Sequence, residues 1–280
     1  MIILLADSGS TKTSWRIIEN SKIKNVRTAG INPYYVSQEG IEEILRKDLL
    51  PHIKNASDVK EIYFYGAGLG NAQRKKEVSI PMHFVFRDAT IEVEHDLMAA
   101  ARALLGYKSG IACIAGTGSN SGYYDGKDLV ENVASLGLYL GDEGSGGHLG
   151  KLLITDYLRD RLPTKLKEKF ESYTKDRLSE MLEKIYKQPY PNRYLASHMP
   201  FILENQKDDY VKRLIYKSFD DFFENNIELY KKPGATISFV GSVAELCSGY
   251  LKKVAKARGY KIGKIISDPI DALTEFHIPK

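Results

Sequence analysis

The chain has 280 residues, 43% of them hydrophobic and 27% charged, which excludes a disordered or collagen-like polymer and is too long for one small core. Forty Lys plus Arg are scattered among 36 Asp plus Glu, so a dedicated nucleic-acid surface is excluded as well. Two distant cysteines, Cys113 and Cys247, fit neither a disulfide framework nor a zinc site; their apolar surroundings mark them as reduced core thiols. The apolar start is closed by Asp7, too early for a leader peptide or a membrane span, and a cytoplasmic location is expected.

In chain order, residues 2–6 form a short, fully apolar run of the kind that makes a buried strand, and it stops at the Gly/Ser/Thr cluster Asp7–Thr13. Residues 14–18 and 22–27 read as two returning strands around an Asn20-Ser21 turn. A helix is expected over 39–49, with Pro51 beyond its end. Residues 61–65 make a strand that runs into Gly66-Ala67-Gly68. Shorter β segments are expected at 83–86 and 90–94, then an Ala/Leu-rich helix over 96–105. The opening pattern then recurs: an apolar strand at 111–115, the turn Gly116–Asn120, a return strand, and a third strand at 129–133. Two copies of one β-rich unit about a hundred residues apart indicate internal duplication. From 143 to 232 the pattern is mainly helical, and 208–231 fits one long amphipathic helix. A strand at 235–240 ends in Gly241-Ser242, followed by a helix over 243–257, a strand at 262–266 and a last helix from 270. The class is α/β.

Four apolar strands therefore end in glycine and hydroxyl residues, and ligands of α/β sheets bind beyond the carboxyl ends of strands. Glycine lets a phosphate approach the backbone, whose N–H groups and neighbouring hydroxyls donate to it. Any one such turn could be only a turn; several, in a duplicated unit, point to a phosphate ligand. Two look-alikes fail. Ser10-Thr11-Lys12-Thr13 lacks the glycine that a P-loop places before its lysine, and Gly122 is misplaced for a dinucleotide fingerprint at Gly116-Thr117-Gly118. Asp7, at a strand tip, reads either as a Mg²⁺ ligand or as an Asx-turn acceptor. Asp96, at a strand-to-helix junction, reads as an N-cap, as a general base, or as both. Gly141-Asp142-Glu143-Gly144-Ser145-Gly146-Gly147 suits polar ligand recognition, or a helix lead-in with capping acids.

Asp7-Ser8-Gly9-Ser10-Thr11-Lys12-Thr13, Ala115-Gly116-Thr117-Gly118-Ser119-Asn120, Gly141-Asp142-Glu143-Gly144-Ser145 and Val240-Gly241-Ser242-Val243 occur in this order. Together they resemble the N-acetylglucosamine kinase branch of the BadF/BadG/BcrA/BcrD ATPase family, within the actin, heat-shock ATPase and hexokinase superfamily. The likeness covers essentially the whole chain. It implies a duplicated, two-lobed actin-like (ribonuclease H-like) fold, each lobe a mixed β-sheet flanked by helices. The N-terminal lobe would span 1–105, completed by a C-terminal helix over 268–280; the C-terminal lobe would span 106–267, with a helical insertion at 150–232. The implied activity is ATP- and Mg²⁺-dependent phosphorylation of an N-acetylated amino sugar, N-acetylglucosamine first, by a homodimer.

The resemblance also implies roles for particular residues. Gly9, Ser10, Thr11 and Lys12 would form one phosphate hairpin and Gly116, Thr117, Gly118 and Ser119 the other. Gly241 and Ser242 would line the adenosine pocket, and Asp7 would hold Mg²⁺, directly or through water. Asp96 would be the catalytic base, and Asn32, Gly68, Asp96, Gly137 and Asp142 would meet the sugar. Two departures stand out: Leu136 where some members carry tryptophan, and Pro269–Leu273 in place of a glycine-rich final helix. The rival readings are an ATPase that activates a partner enzyme through an interface iron–sulfur cluster, and a sugar-responsive regulator without catalysis.

Overall fold

The computed structural model describes residues 1–9 and 11–278. They group into two compact units, one of Met1–Gly106 with the residues from Pro269 on, the other of Tyr107–Asp268.

In the first unit, β1 (Ile2–Ser8), β2 (Lys12–Glu19), β3 (Lys22–Ala29), β4 (Val59–Gly66) and β5 (Thr90–His95) form one sheet in the order β3-β2-β1-β4-β5. β1, β2 and β3 pair antiparallel, whereas β4 and β5 join parallel to them. The β2–β3 hairpin turns on Asn20 and Ser21, both at positive φ (47° and 64°), the geometry whose twist matches that of the flanking strands. On one face Leu4, Ala6, Trp15, Ile62 and Phe64 pack against α1 (Gln38–Ile44) and α2 (Ala72–Val85). Trp15 is fully buried, and its Nε1–H donates to Thr28 Oγ1 at 3.1 Å, which removes the cost of burying the indole nitrogen.

Two expectations are corrected here. Residues 83–86 are not a strand: they end α2, whose Asn71 cap accepts the Arg74 N–H at 2.9 Å and whose buried Val78, Met82 and Val85 recur at helical spacing. Pro81, inside that helix, hid the pattern. Pro51 lies within the helical path rather than beyond it, because α1 continues through a π-turn over Leu45–Leu49 into a 3₁₀ turn over Leu50–His52.

The opposite face of this sheet is covered by α3 (Asp96–Leu105) and by the C-terminal helix Ile270–His277. Arg16 pairs with Asp271 at 2.7 Å, and the Arg102 Nη1 donates both to Tyr65 Oη at 2.6 Å and to Glu92. Tyr65 Oη lies 2.7 Å from His277 Nε2, and the His277 ring stacks on Tyr63 with centroids 3.8 Å apart. A Tyr65 hydroxyl that accepts from Arg102 donates to a neutral imidazole. Burial, and then Arg102, hold the His277 pKa down at about 4. An unfolded chain takes up that proton near pH 6.5 and the folded one does not, so stability is complete above 6.5 and declines as pH falls towards 4. The thermal midpoint is expected to drop between pH 7 and pH 4.5, and His277→Gln should flatten part of that slope; an unaltered slope would contradict the assignment.

In the second unit, β6 (Gly110–Ala115), β7 (Ser119–Tyr124), β8 (Leu129–Glu131), β9 (Thr236–Val240) and β10 (Lys261–Ile266) form a sheet in the order β10-β9-β6-β7-β8. Read from its other edge this is the first unit's order, with the same antiparallel and parallel pairs, so one architecture is used twice. Helices fill the interval between β8 and β9: α4 (Gly137–Leu140), α5 (Gly146–Leu158), α6 (Thr164–Tyr173), α7 (Leu178–Tyr186), α8 (Pro191–Ala196), α9 (Met199–Glu204) and α10 (Asp209–Phe222). The helical path expected over 208–231 runs as α10, then a π-turn at Phe223–Ile227 and a 3₁₀ turn at Glu228–Tyr230. The extra residue in the π-turn lets adjacent Phe222 and Phe223 both enter the core against Phe239. After β9, α11 (Ser242–Leu246) and α12 (Ser248–Ala257) replace the single helix expected over 243–257.

Candidate functional site

In the first unit Ser8 pairs with Gly66 and Gly66 with His95, so the carboxyl tips of β1, β4 and β5 lie side by side. Two strand spacings separate the outer pair, roughly 10 Å. The Gly9 N–H closes the first turn onto Lys12 O at 3.0 Å. Beneath it the Ser8 and Thr13 hydroxyls lie 2.7 Å apart, and both accept the Ile31 N–H, at 3.0 and 3.3 Å. This stitches the hairpin to the segment that carries Asn32. Thr11 and Lys12 are exposed on the turn, and Ser10 lies outside the described residues.

Asn32 is buried, and its Oδ1 accepts the Tyr34 N–H at 3.0 Å. Gly68 closes on it at φ +81°: a Cβ there would lie 2.5 Å from Asn32 Oδ1, so only glycine fits. Two residues assigned to the sugar, 36 positions apart in sequence, are thus in contact in space.

Asp96 is the first residue of α3 rather than its cap, the cap position falling to His95, whose side chain makes no capping bond. The Asp96 carboxylate instead lies beside its own and the Leu97 backbone N–H. Those donors and the helix N-terminus favour the charged form, but desolvation outweighs them and pushes its pKa up to about 6. The group keeps partial solvent access. A carboxylate of that basicity, held at a strand tip, suits proton abstraction near neutral pH.

In the second unit the turn Gly116–Gly118 is closed by Gly116 N–H to Gly118 O at 3.0 Å. The start of α5 rises beneath it: the Gly146 N–H donates to Gly116 O at 2.8 Å and the Gly147 N–H to Thr117 O at 2.9 Å. Ser145 caps α5, accepting the His148 N–H at 3.1 Å. With two carbonyls of the turn so engaged, the Thr117 and Gly118 N–H groups have no acceptor among the described residues. Two adjacent amide donors on a glycine turn make an anion-binding concavity.

Asp142 backs the same turn. It is buried at φ 59°, and its Oδ1 accepts the Ser119 N–H at 3.1 Å and the Ser135 hydroxyl at 3.3 Å. A Cβ on Gly118 would lie 3.2 Å from that oxygen, so glycine keeps the carboxylate close. Burial raises the Asp142 pKa, opposed by these bonds and by Lys151. Gly241 stands at φ +131°, where a Cβ would lie 2.2 Å from Ala115 O, and Ser242 opens α11 beside it. Gly137 stands at φ +71° with open space around its Cα, at the head of α4. The Ser135 hydroxyl and the Lys151 charge that meet Asp142 escaped sequence reasoning, for neither belongs to a glycine-rich motif.

The twice-used sheet, with glycine turns at its strand tips, defines an actin-like ATPase fold. A crystal structure described as the "putative N-acetylglucosamine kinase" of Porphyromonas gingivalis matches at 39% identity over 98% of each chain, with a TM-score of 0.92. A protein of Chromobacterium violaceum bearing the same description matches at 15% identity over 98% of each chain (TM-score 0.70), and a protein of Cytophaga hutchinsonii described as a "putative sugar kinase" at 15% over 94% of each (0.57). These two share the fold. No protein-family model and no curated protein matches the chain. The chain belongs to the N-acetylglucosamine kinase-like family of actin-like sugar kinases.

Proposed function

We propose that this chain transfers the γ-phosphoryl group of ATP to a hydroxyl of an N-acetylated amino sugar, N-acetylglucosamine first. The observation that carries the reading is Asp96: a carboxylate with pKa pushed up to about 6, in the unit where Asn32 and Gly68 meet. Asp96 accepts the proton as the sugar oxygen attacks phosphorus; the bond from the γ-phosphorus to the bridging oxygen breaks, and ADP leaves. Little covalent work falls to the protein, and the rate comes from positioning and charge stabilisation.

The unengaged Thr117 and Gly118 N–H groups fit a phosphate; the Gly9, Ser10, Thr11 and Lys12 hairpin and Ser119, whose own N–H is held by Asp142, are assigned to the same triphosphate by the resemblance. Gly241 and Ser242 are assigned to the adenosine. Among the described residues no three His, Cys, Asp or Glu side chains group as a metal cage. Mg²⁺ at Asp7 would therefore draw most of its ligands from phosphate and water, as this ion commonly does, and would neutralise charge on the triphosphate. Gly137 and the Oδ2 of Asp142, which accepts no bond from the described residues, are assigned to the sugar. A cytoplasmic homodimer completes the proposal. No helix among the described residues is long and apolar enough to cross a membrane.

The partner-activating ATPase is disfavoured by both cysteines being buried in the second unit's core, with the Cys247 thiol pushed up to about 11 by burial. Neither offers an accessible thiolate to an iron–sulfur cluster. The test is ADP release with Mg-ATP across N-acetylglucosamine, N-acetylmuramic acid, glucosamine, N-acetylmannosamine and glucose. Turnover that depends on an N-acetylated sugar is expected; ATP binding without stimulation by any sugar would overturn the proposal in favour of a regulator.

A further inference from the structure

The loop from Ser135 to Asp142 is tied at both ends. At its base the Ser135 hydroxyl lies 2.7 Å from Ser119 O and 3.3 Å from Asp142 Oδ1, and Asp142 holds the Ser119 N–H. At its tip the Gly141 N–H bonds Gly137 O at 2.8 Å, closing the single turn α4. That tip has little packing to hold it: Leu136, Tyr139 and Leu140 are 60%, 60% and 76% exposed, and of its apolar side chains Leu138 alone is buried. Beneath it lies a cavity of about 120 Å³, lined by Leu138, Ile154, Ile185 and Leu195 among others. A turn with few apolar contacts over a void keeps its place through its polar tethers. Two are found among the described residues: Lys151 Nζ donates to Leu138 O at 2.9 Å, and Tyr139 Oη donates to Ile185 O at 3.0 Å.

Lys151 belongs to α5, whose first residues donate to Gly116 and Thr117. One helix thus braces the phosphate-binding turn with its N-terminal amides and the Gly137 turn with a lysine in its second turn. We infer that Lys151 is a positioning residue: it sets the Gly137 turn against the sugar without touching the sugar. The inference rests on the sugar-kinase reading for its functional consequence, and on the loop geometry alone for its mechanical part. Its half-buried stem runs along apolar surface while its ammonium reaches the carbonyl, so Lys151→Met keeps the packing and removes the donors.

The experiment takes full-length wild type, Lys151→Met, Lys151→Arg and Tyr139→Phe through two readouts. The first is steady-state kinetics with N-acetylglucosamine and Mg-ATP. Lys151→Met is expected to raise the sugar KM about tenfold, as befits one charged hydrogen bond, with the ATP KM within about twofold of wild type. Lys151→Arg should recover most of the loss, and Tyr139→Phe should show a smaller rise in sugar KM. The second readout is amide hydrogen exchange over residues 136–141, expected to be about tenfold faster in Lys151→Met while the rest of the second unit is unchanged. Unaltered exchange overturns the tether, whatever the kinetics. Faster exchange with an unaltered sugar KM, or sugar and ATP KM rising together, overturns the link to the sugar. A wild type that phosphorylates none of the sugars tested overturns the sugar-kinase reading instead, and exchange still decides whether Lys151 holds the turn.

Discussion

Replacing Asp96 with asparagine is expected to lower kcat by about a thousandfold, the scale of a lost general base, while the sugar KM changes by less than about fivefold. Asparagine keeps the shape of the carboxylate and leaves an oxygen beside the backbone N–H groups of residues 96 and 97, so α3 begins undisturbed. It cannot take a proton from a hydroxyl. The same substitution should raise stability at pH 7.5. Desolvation lifts the Asp96 pKa to about 6 in the folded chain against 3.8 otherwise, so the ionised form is held at a cost that the amide avoids. After discounting for its partial solvent access, the gain is on the order of 1–2 kcal/mol. A folding defect would lower activity and stability together, and opposite movements of the two separate chemistry from structure. Wild-type kcat/KM should fall tenfold per pH unit below pH 6, where Asp96 takes its proton, and be level above it. Near-normal turnover by Asp96→Asn would remove Asp96 from the reaction.

Gly241→Ala is expected to cost at least about 4 kcal/mol and to lower the thermal midpoint by about 10 °C, together with loss of nucleotide binding. Its φ of +131° and ψ of 150° belong to a region that essentially only glycine enters. The added methyl would also meet Ala115 O at 2.2 Å, Ala115 C at 2.6 Å and Gly116 N at 3.1 Å, all backbone atoms. No side-chain rotation relieves that clash, so β6 and the head of the Gly116–Gly118 turn must shift. Differential scanning calorimetry and titration with a non-hydrolysable ATP analogue read both effects. A variant as stable as wild type would mean that the approach of Gly241 to Ala115 is looser than described.

Much of this was legible in the residues. Apolar runs ending in glycine and hydroxyl clusters marked β1, β4, β6 and β9, because a fully buried strand admits no polar alternation and its turn must be small. Their repetition disclosed the doubled sheet. What remained hidden was long-range or out of period. The Ser119–Asp142 bond joins residues 23 apart, and nothing local in either reports the other. Asp142 reads in the motif as a ligand, yet one of its oxygens is spent on bracing the Gly116–Gly118 turn through the Ser119 N–H. Lys151 lies among apolar residues of α5 and looks like any helical lysine until Leu138 O is found beside it. The helix over 72–85 was masked by Pro81 and by a Met-His-Phe-Val-Phe run that mimics a strand over a short window.

The placement of the last helix has a consequence for how the chain comes into being. Residues 107–268 are continuous, so the second unit can complete itself as soon as they have left the ribosome. The first unit cannot: although its strands are made before residues 107–268, the helix Ile270–His277 that covers β1, β2 and α3 is made after them. Tyr65 and Arg102 wait with one face open while residues 107–268 are synthesised, and the unit begun before the other is finished after it.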